Sequence, residues 1–204
     1  VKKFLTKDGT VLDLRLKYIG DAGLEYLSQC PNLVDLEILN LERNEVTDKG
    51  IQALAKSSVI TNLKELHLER NEVTDKGIQA LAKSSVITNL KELHLERNMI
   101  GDVGAKAIAT SANFSYLHFI NFWKNNVGTE GAQAIASSTI LVNLKNLDLA
   151  VNNIGDEGAK ALAESTTLGS LEWLEVFGSG LTGEGKKLLK ESTVFPKLQT
   201  LVLE

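Results

Sequence analysis

LERNEVTDKGIQALAKSSVITNLKELH occupies residues 41–67, the same 27 residues follow at 68–94, and LERN opens a further copy at 95–98. A period of 20 to 50 residues marks a solenoid, in which each unit buries its apolar face against its neighbours. Outside the copied stretch the wording changes but the period holds. Taking Lys17, Asn44, Asn71, Asn98, Asn125, Asn152 and Ser179 as anchors, an apolar pair sits three and five residues before each: Leu14/Leu12, Leu41/Leu39, Leu68/Leu66, Leu95/Leu93, Phe122/Ile120, Leu149/Leu147 and Val176/Leu174. An eighth unit begins with Leu198, Leu201 and Leu203.

Apolar alternation over so short a run predicts a strand with one face buried. The anchor Asn falls where the strand ends, and its amide can satisfy backbone groups that no ladder reaches. Asp48, Asp75, Asp102 and Asp156, with the equivalent Asp21, precede a Gly and an Ala/Leu-rich run such as IQALA or AKAIA. Those runs predict short helices, apolar face inward, and each Asp is expected to cap its own helix. One unit is therefore strand–turn–helix, and successive strands run parallel about 4.8 Å apart. Lys17 and Ser179 depart from the Asn column, and Thr129 and Gly183 from the Asp column, so looser turns are expected there.

LKELHLERNEVTDKGIQALA resembles a leucine-rich repeat, L-x-x-L-x-L-x-x-N-x-I/V-x-x-x-G-x-x-x-L-A. Unit length and the helical second half are similar to the ribonuclease-inhibitor-like subclass, which Ran GTPase-activating proteins and many intracellular immune receptors share. The resemblance covers nearly all of 9–204. It implies a right-handed α/β solenoid, or horseshoe, with a parallel sheet on the concave face and helices on the convex face. It does not name a partner, because function lives on the site and not on the fold. The expected organisation is one leucine-rich-repeat domain over 1–204, with about seven repeats and a terminal strand. Residues 1–8 are expected to form an N-terminal cap, Phe4 and Leu5 covering the first unit while Lys2, Lys3, Lys7 and Asp8 face water.

The chain has 204 residues, 43% hydrophobic and 24% charged, with a net charge of −4. That is ordinary for a globular chain. A sequence pI near 5.5 argues against nucleic acid. Arg43, Arg70 and Arg97 form a column, but Glu42, Glu69 and Glu96 stand beside it, as cross-strand charge compensation requires. The single cysteine, Cys30, excludes an intrachain disulfide and favours a reducing compartment. No apolar run approaches the length of a membrane span, and VKKFLTKDG lacks the apolar core of a signal peptide. The expectation is a cytoplasmic monomer, or a protein delivered into a host cytosol if it is an effector.

No phosphate loop, nucleophile elbow or zinc-protease signature appears, so catalysis is not expected and no cofactor is assigned. His67 and His94 share a column in adjacent units, with Glu69 and Glu96 two residues on. Copying alone explains the pair, so no metal is assigned. The strand face is more informative, because alternate residues point away from the core. Units two to four form a charged surface of Glu42, His67, Glu69, Arg70, His94, Glu96 and Arg97. Units five to seven carry both tryptophans. Phe119 and Trp123 on one strand and Trp173 and Phe177 two strands on would flank Asn146, Asp148 and Ala150. The expected partner site is therefore Phe119, Trp123, Asp148, Trp173, Glu175 and Phe177, binding a protein through an apolar or basic side chain. A non-catalytic protein-interaction scaffold is the leading expectation. The alternatives are a recognition module of a larger enzyme or bacterial effector, a small-GTPase regulator, or an engineered repeat array.

Overall fold

The computed structural model describes residues 3–204. Strands β1 (Val11–Asp13), β2 (Ile38–Asn40), β3 (Glu65–His67), β4 (Glu92–His94), β5 (Phe119–Asn121), β6 (Asn146–Asp148), β7 (Trp173–Glu175) and β8 (Thr200–Val202) make one sheet in sequence order. They alternate with helices α1 (Gly20–Ser28), α2 (Asp48–Ala55), α3 (Asp75–Ala82), α4 (Asp102–Thr110), α5 (Thr129–Ala136), α6 (Gly155–Ala163) and α7 (Gly183–Glu191). Every strand pair is parallel, and every residue faces the one 27 positions later, as Leu39 faces Leu66. The α/β solenoid expected from the period is the architecture found. The two apolar columns of each strand are buried from Leu12 to Val176 and form one continuous core with the inner faces of the helices. No helix among the described residues is long and apolar enough to cross a membrane.

Phe4 and Leu5 pack partly buried against this core, and Leu5 bridges Leu12 antiparallel. Lys17 Nζ lies 5.0 Å from the Phe4 ring centroid. Lys2, expected in the same cap, lies outside the described residues.

Three ladders of side-chain hydrogen bonds stitch the units. Asn71 shows the first. Its Nδ2 donates to Leu41 O of the previous unit (2.9 Å) and to Leu68 O of its own (3.0 Å), while its Oδ1 accepts from Val46 N (3.0 Å). The amide thus serves backbone groups of two units at once. Ser179 performs only half of this task, donating to Leu149 O at 2.6 Å.

The aspartates form the second ladder, and here the capping expectation needs correction. Asp48 is the first residue of its own helix, whose N-cap is Thr47. Its carboxylate points forward and accepts from Thr74 N (2.8 Å) and Gly77 N (2.9 Å), clamping the start of α3. Asp21, Asp75 and Asp102 do the same for α2, α4 and α5, and Asp156 accepts from Thr182 N before α7. The contact also explains the glycine column, since a Cβ on Gly77 would lie 2.7 Å from Asp48 Oδ1. Helices α1 and α6 have no aspartate behind them; Thr129 stands in that position before α6. Both begin differently, with Ile19 and Ile154 as N-caps lacking any side-chain cap bond, followed by Gly20 and Gly155 at φ +58° and +64°. The departure at Thr129 therefore changes the turn one unit later than expected.

The third ladder is serine. Ser57, Ser84, Ser111, Ser138, Ser165 and Ser192 each donate to a carbonyl at the end of the previous unit's helix, Ser84 to Ala55 O at 2.6 Å. In the first unit this position is Cys30, which is buried.

Candidate partner-binding face

The strand face divides as the sequence suggests, but its halves meet more closely than expected. On the charged half, parallel pairing stacks the rings of His67 and His94 with centroids 4.0 Å apart and planes 15° from parallel. His67 is bracketed by its own strand's carboxylates, Nε2 lying 2.6 Å from Glu65 Oε1 and Nδ1 3.0 Å from Glu69 Oε1. Burial disfavours the His67 cation, but the hydrogen bonds to Glu69 and Glu65, with their charges, outweigh it and lift the pKa to about 9. His94 makes looser contacts, 3.5 Å to Glu92 and 3.8 Å to Glu96. Arg43 lies 3.8 Å from Glu42, and Arg43, Arg70 and Arg97 line a cavity of about 480 Å³ with Tyr18, Glu45 and Glu72. His118, outside the stacked column, comes no nearer to Glu92 than 4.0 Å.

Two contacts join this half to the aromatic one. The Phe119 ring lies 4.5 Å from His94, extending the imidazole stack by one strand. The Arg97 guanidinium sits 4.7 Å above the Trp123 ring, a cation–π pair. Periodicity could not announce either, because they pair a copied residue with an uncopied one.

Four of the six residues expected to bind a partner surround one cavity of about 290 Å³. Phe119 and Trp173 form its sides, and Asp148 and Glu175 line it with Asn121 and Asn146. Trp173 is the most open of the four rings, 39% exposed. Trp123 and Phe177 do not line the cavity; they stand in the neighbouring column on either side of Ala150. That alanine, expected to offer a small open floor, is fully buried. Larger hollows exist on the helical side, about 740 Å³ between α4 and α5. Similar ones lie between α1 and α2 and between α2 and α3. Their recurrence makes them a product of helix spacing in the repeat, whereas the aromatic cavity is built on Phe119 and Trp173, which lie outside the copied stretch.

Asp148 is the unusual group in that cavity. Burial pushes its carboxyl up to about 7, against the backbone N–H of Ala150, which donates to Oδ1 at 2.8 Å; the charges of Glu175 and Glu96 push it further. The folded value lies above the unfolded 3.8, so its stabilising contribution is fully present below about pH 4 and is lost as pH rises through 7. Asp148→Asn keeps the acceptor and removes the charge. It is expected to stabilise the chain by about 1 kcal/mol at pH 8, after discounting for solvent screening, and by roughly a third of that at pH 5, where only the unfolded carboxyl has ionised. Denaturant melts at the two pH values check this; an equal effect at both would show that the carboxyl is not strained.

A family profile described as "Leucine Rich repeat" matches residues 32–55, 59–82, 86–109, 115–136 and 141–163, more than half of the chain. The chain belongs to the leucine-rich repeat family. Among solved structures it is similar to an internalin (inlF) from Listeria monocytogenes, with a TM-score of 0.56 and 20% identity over 88% of this chain. The chain spans about half the length of that internalin chain. At that identity the likeness establishes the fold alone. No curated protein matches the sequence.

Proposed function

We propose that the chain is a non-catalytic protein-interaction scaffold whose partner docks on the sheet face at β5–β7. The partner inserts a lysine or arginine side chain between Phe119 and Trp173. The observation that carries this reading is the cavity itself: two aromatic sides around a carboxylate pair, one of whose members is held near its charging point. A cation entering it gains the ring faces and neutralises Asp148 and Glu175 together. The 27-residue unit with an α-helix in seven successive turns supports placement in the ribonuclease-inhibitor-like subclass. A buried lone Cys30 fits a reducing compartment. A second reading is a recognition module within a longer protein, favoured by an internalin chain about twice the aligned length.

The test is a display selection of random peptides on the folded chain at pH 8. Selected sequences are expected to share a basic residue. Trp173→Ala is expected to weaken the best peptide by about 2 kcal/mol, roughly 30-fold. Affinity should also fall as pH drops from 8 to 6 and Asp148 takes up its proton. Peptides without a common basic residue, or bound equally by Trp173→Ala, would remove the cavity from consideration.

A further inference from the structure

We infer that the charged half of the sheet face holds a divalent transition-metal site, of zinc type, built by Glu69, His94 and Glu96. One oxygen from each carboxylate and one imidazole nitrogen lie within 4.8 Å of one another across β3 and β4 and the turns that follow them. A tetrahedral zinc ion holds its ligands at about 2.0–2.2 Å. Side-chain rotations that draw these three atoms together by about 1 Å satisfy that shell.

The second observation is independent of spacing. Four buried side-chain polar atoms lack a hydrogen-bond partner among the described residues: Glu69 Oε2, Glu96 Oε2, His94 Nε2 and Arg97 Nε. The two carboxylate oxygens belong to the proposed ligands, whereas His94 Nε2 lies at the far end of its ring, 3.5 Å from Glu92, and it is Nδ1 that faces Glu96 at 3.8 Å. Buried polar atoms are nearly always satisfied, and an orphaned carboxylate oxygen is costly. Here two such oxygens come from residues in the same column on neighbouring units, where like charges repel. A dication satisfies both and removes the repulsion.

The donor set selects the metal class. Calcium and magnesium prefer oxygen alone, whereas one imidazole with two carboxylates suits zinc and its first-row neighbours. His67 takes the outer position. Its Nδ1 lies 3.0 Å from Glu69 Oε1 and fixes that carboxylate's orientation, as outer partners of metal ligands do. Three protein ligands leave a fourth position for water. Copying accounts for how the two LHLE segments came to be adjacent, not for what they now surround. Successive LHLE segments, 66–69 and 93–96, supply one carboxylate each, and neither segment alone holds the set.

Zinc titration of tag-free, chelator-treated full chain, in competition with a chromophoric chelator, tests the site. One Zn2+ per chain is expected, and Co2+ in its place should show the visible bands of a tetrahedral ion. His94→Gln, Glu69→Gln and Glu96→Gln are each expected to lose at least about tenfold in affinity. Far-UV circular dichroism should show each variant still folded, since the side chains stand on the sheet face. Glu65→Gln and His118→Ala should bind as the parent does. Less than one Zn2+ bound per chain at micromolar metal, or equal binding by His94→Gln, overturns the site. Loss in Glu65→Gln without loss in Glu69→Gln overturns the choice of ligands, placing any ion at the opposite end of the imidazoles, where Glu65, His67 and His94 also converge.

Discussion

Excision of residues 41–67 is expected to leave a folded, shorter solenoid. Because 68–94 repeats the excised residues, Asn40 would be followed by the same LERN it meets now. The unit before the cut would pack on residues 68–94 through contacts it already makes with 41–67. The contacts between 68–94 and the unit after it would be untouched. The only boundary removed is the one between the two copies, including the His67–His94 stack, so no new interface has to form. Excising 41–54 instead removes the turn and nearly all of α2 while leaving β2 and β3 in place. Leu24 and Leu27 would lose the helix that packs on α1, and Asp21 would lose Thr47 and Gly50, its acceptor's two backbone donors. That variant is expected to unfold. Thermal melts followed by far-UV circular dichroism decide the matter, and equal losses in the two variants would mean that 27 residues are not the unit of stability.

Asn98→Ala is expected to cost about 3 kcal/mol. Asn98 is 8% exposed and holds Val73 N at 3.0 Å, Leu68 O at 2.8 Å and Leu95 O at 3.0 Å. The two carbonyls keep a second donor, since Asn71 also reaches Leu68 O and Asn125 also reaches Leu95 O. Val73 N keeps none, and a buried amide without an acceptor carries most of the cost. Asn98→Ser should lose nearly as much, because Ser179 shows that a hydroxyl in this column reaches the preceding unit's carbonyl without taking over the amide's acceptor role. Chemical denaturation of the three proteins ranks them, and an alanine variant as stable as the parent would deny the asparagine its bridging role.

The strands were legible because a 27-residue register repeats each buried pair, and Leu39 or Leu147 says the same thing in each unit. The Asn column was legible for the same reason. The direction in which the aspartates act was not. Asp48 stands before a helix, and in one dimension it reads as that helix's own cap; only the stacking of units shows that its acceptor serves Thr74 and Gly77. The serine ladder left a signal, a Ser 13 residues after six of the seven anchors, which a search for polar columns would have found beside the apolar ones. The aromatic cavity was half legible. Register places Phe119 and Trp173 two strands apart, but whether Ala150 lies open or closed depends on packing within the column, which no period encodes. The charging of Asp148 depends on depth and on Glu96, two units away in sequence, and so escaped altogether.

The forward-reaching aspartates also bear on how this chain behaves under tension. Pulled by its ends, a stack held by the same bonds at each boundary gives way one unit at a time, each release adding the length of about 27 extended residues, roughly 90 Å. The boundary before α6 lacks the carboxylate clamp that secures five of the other helices. The seam at Thr129–Gly155 is therefore where force is expected to open the stack, between the strand that carries Phe119 and the one that carries Asp148.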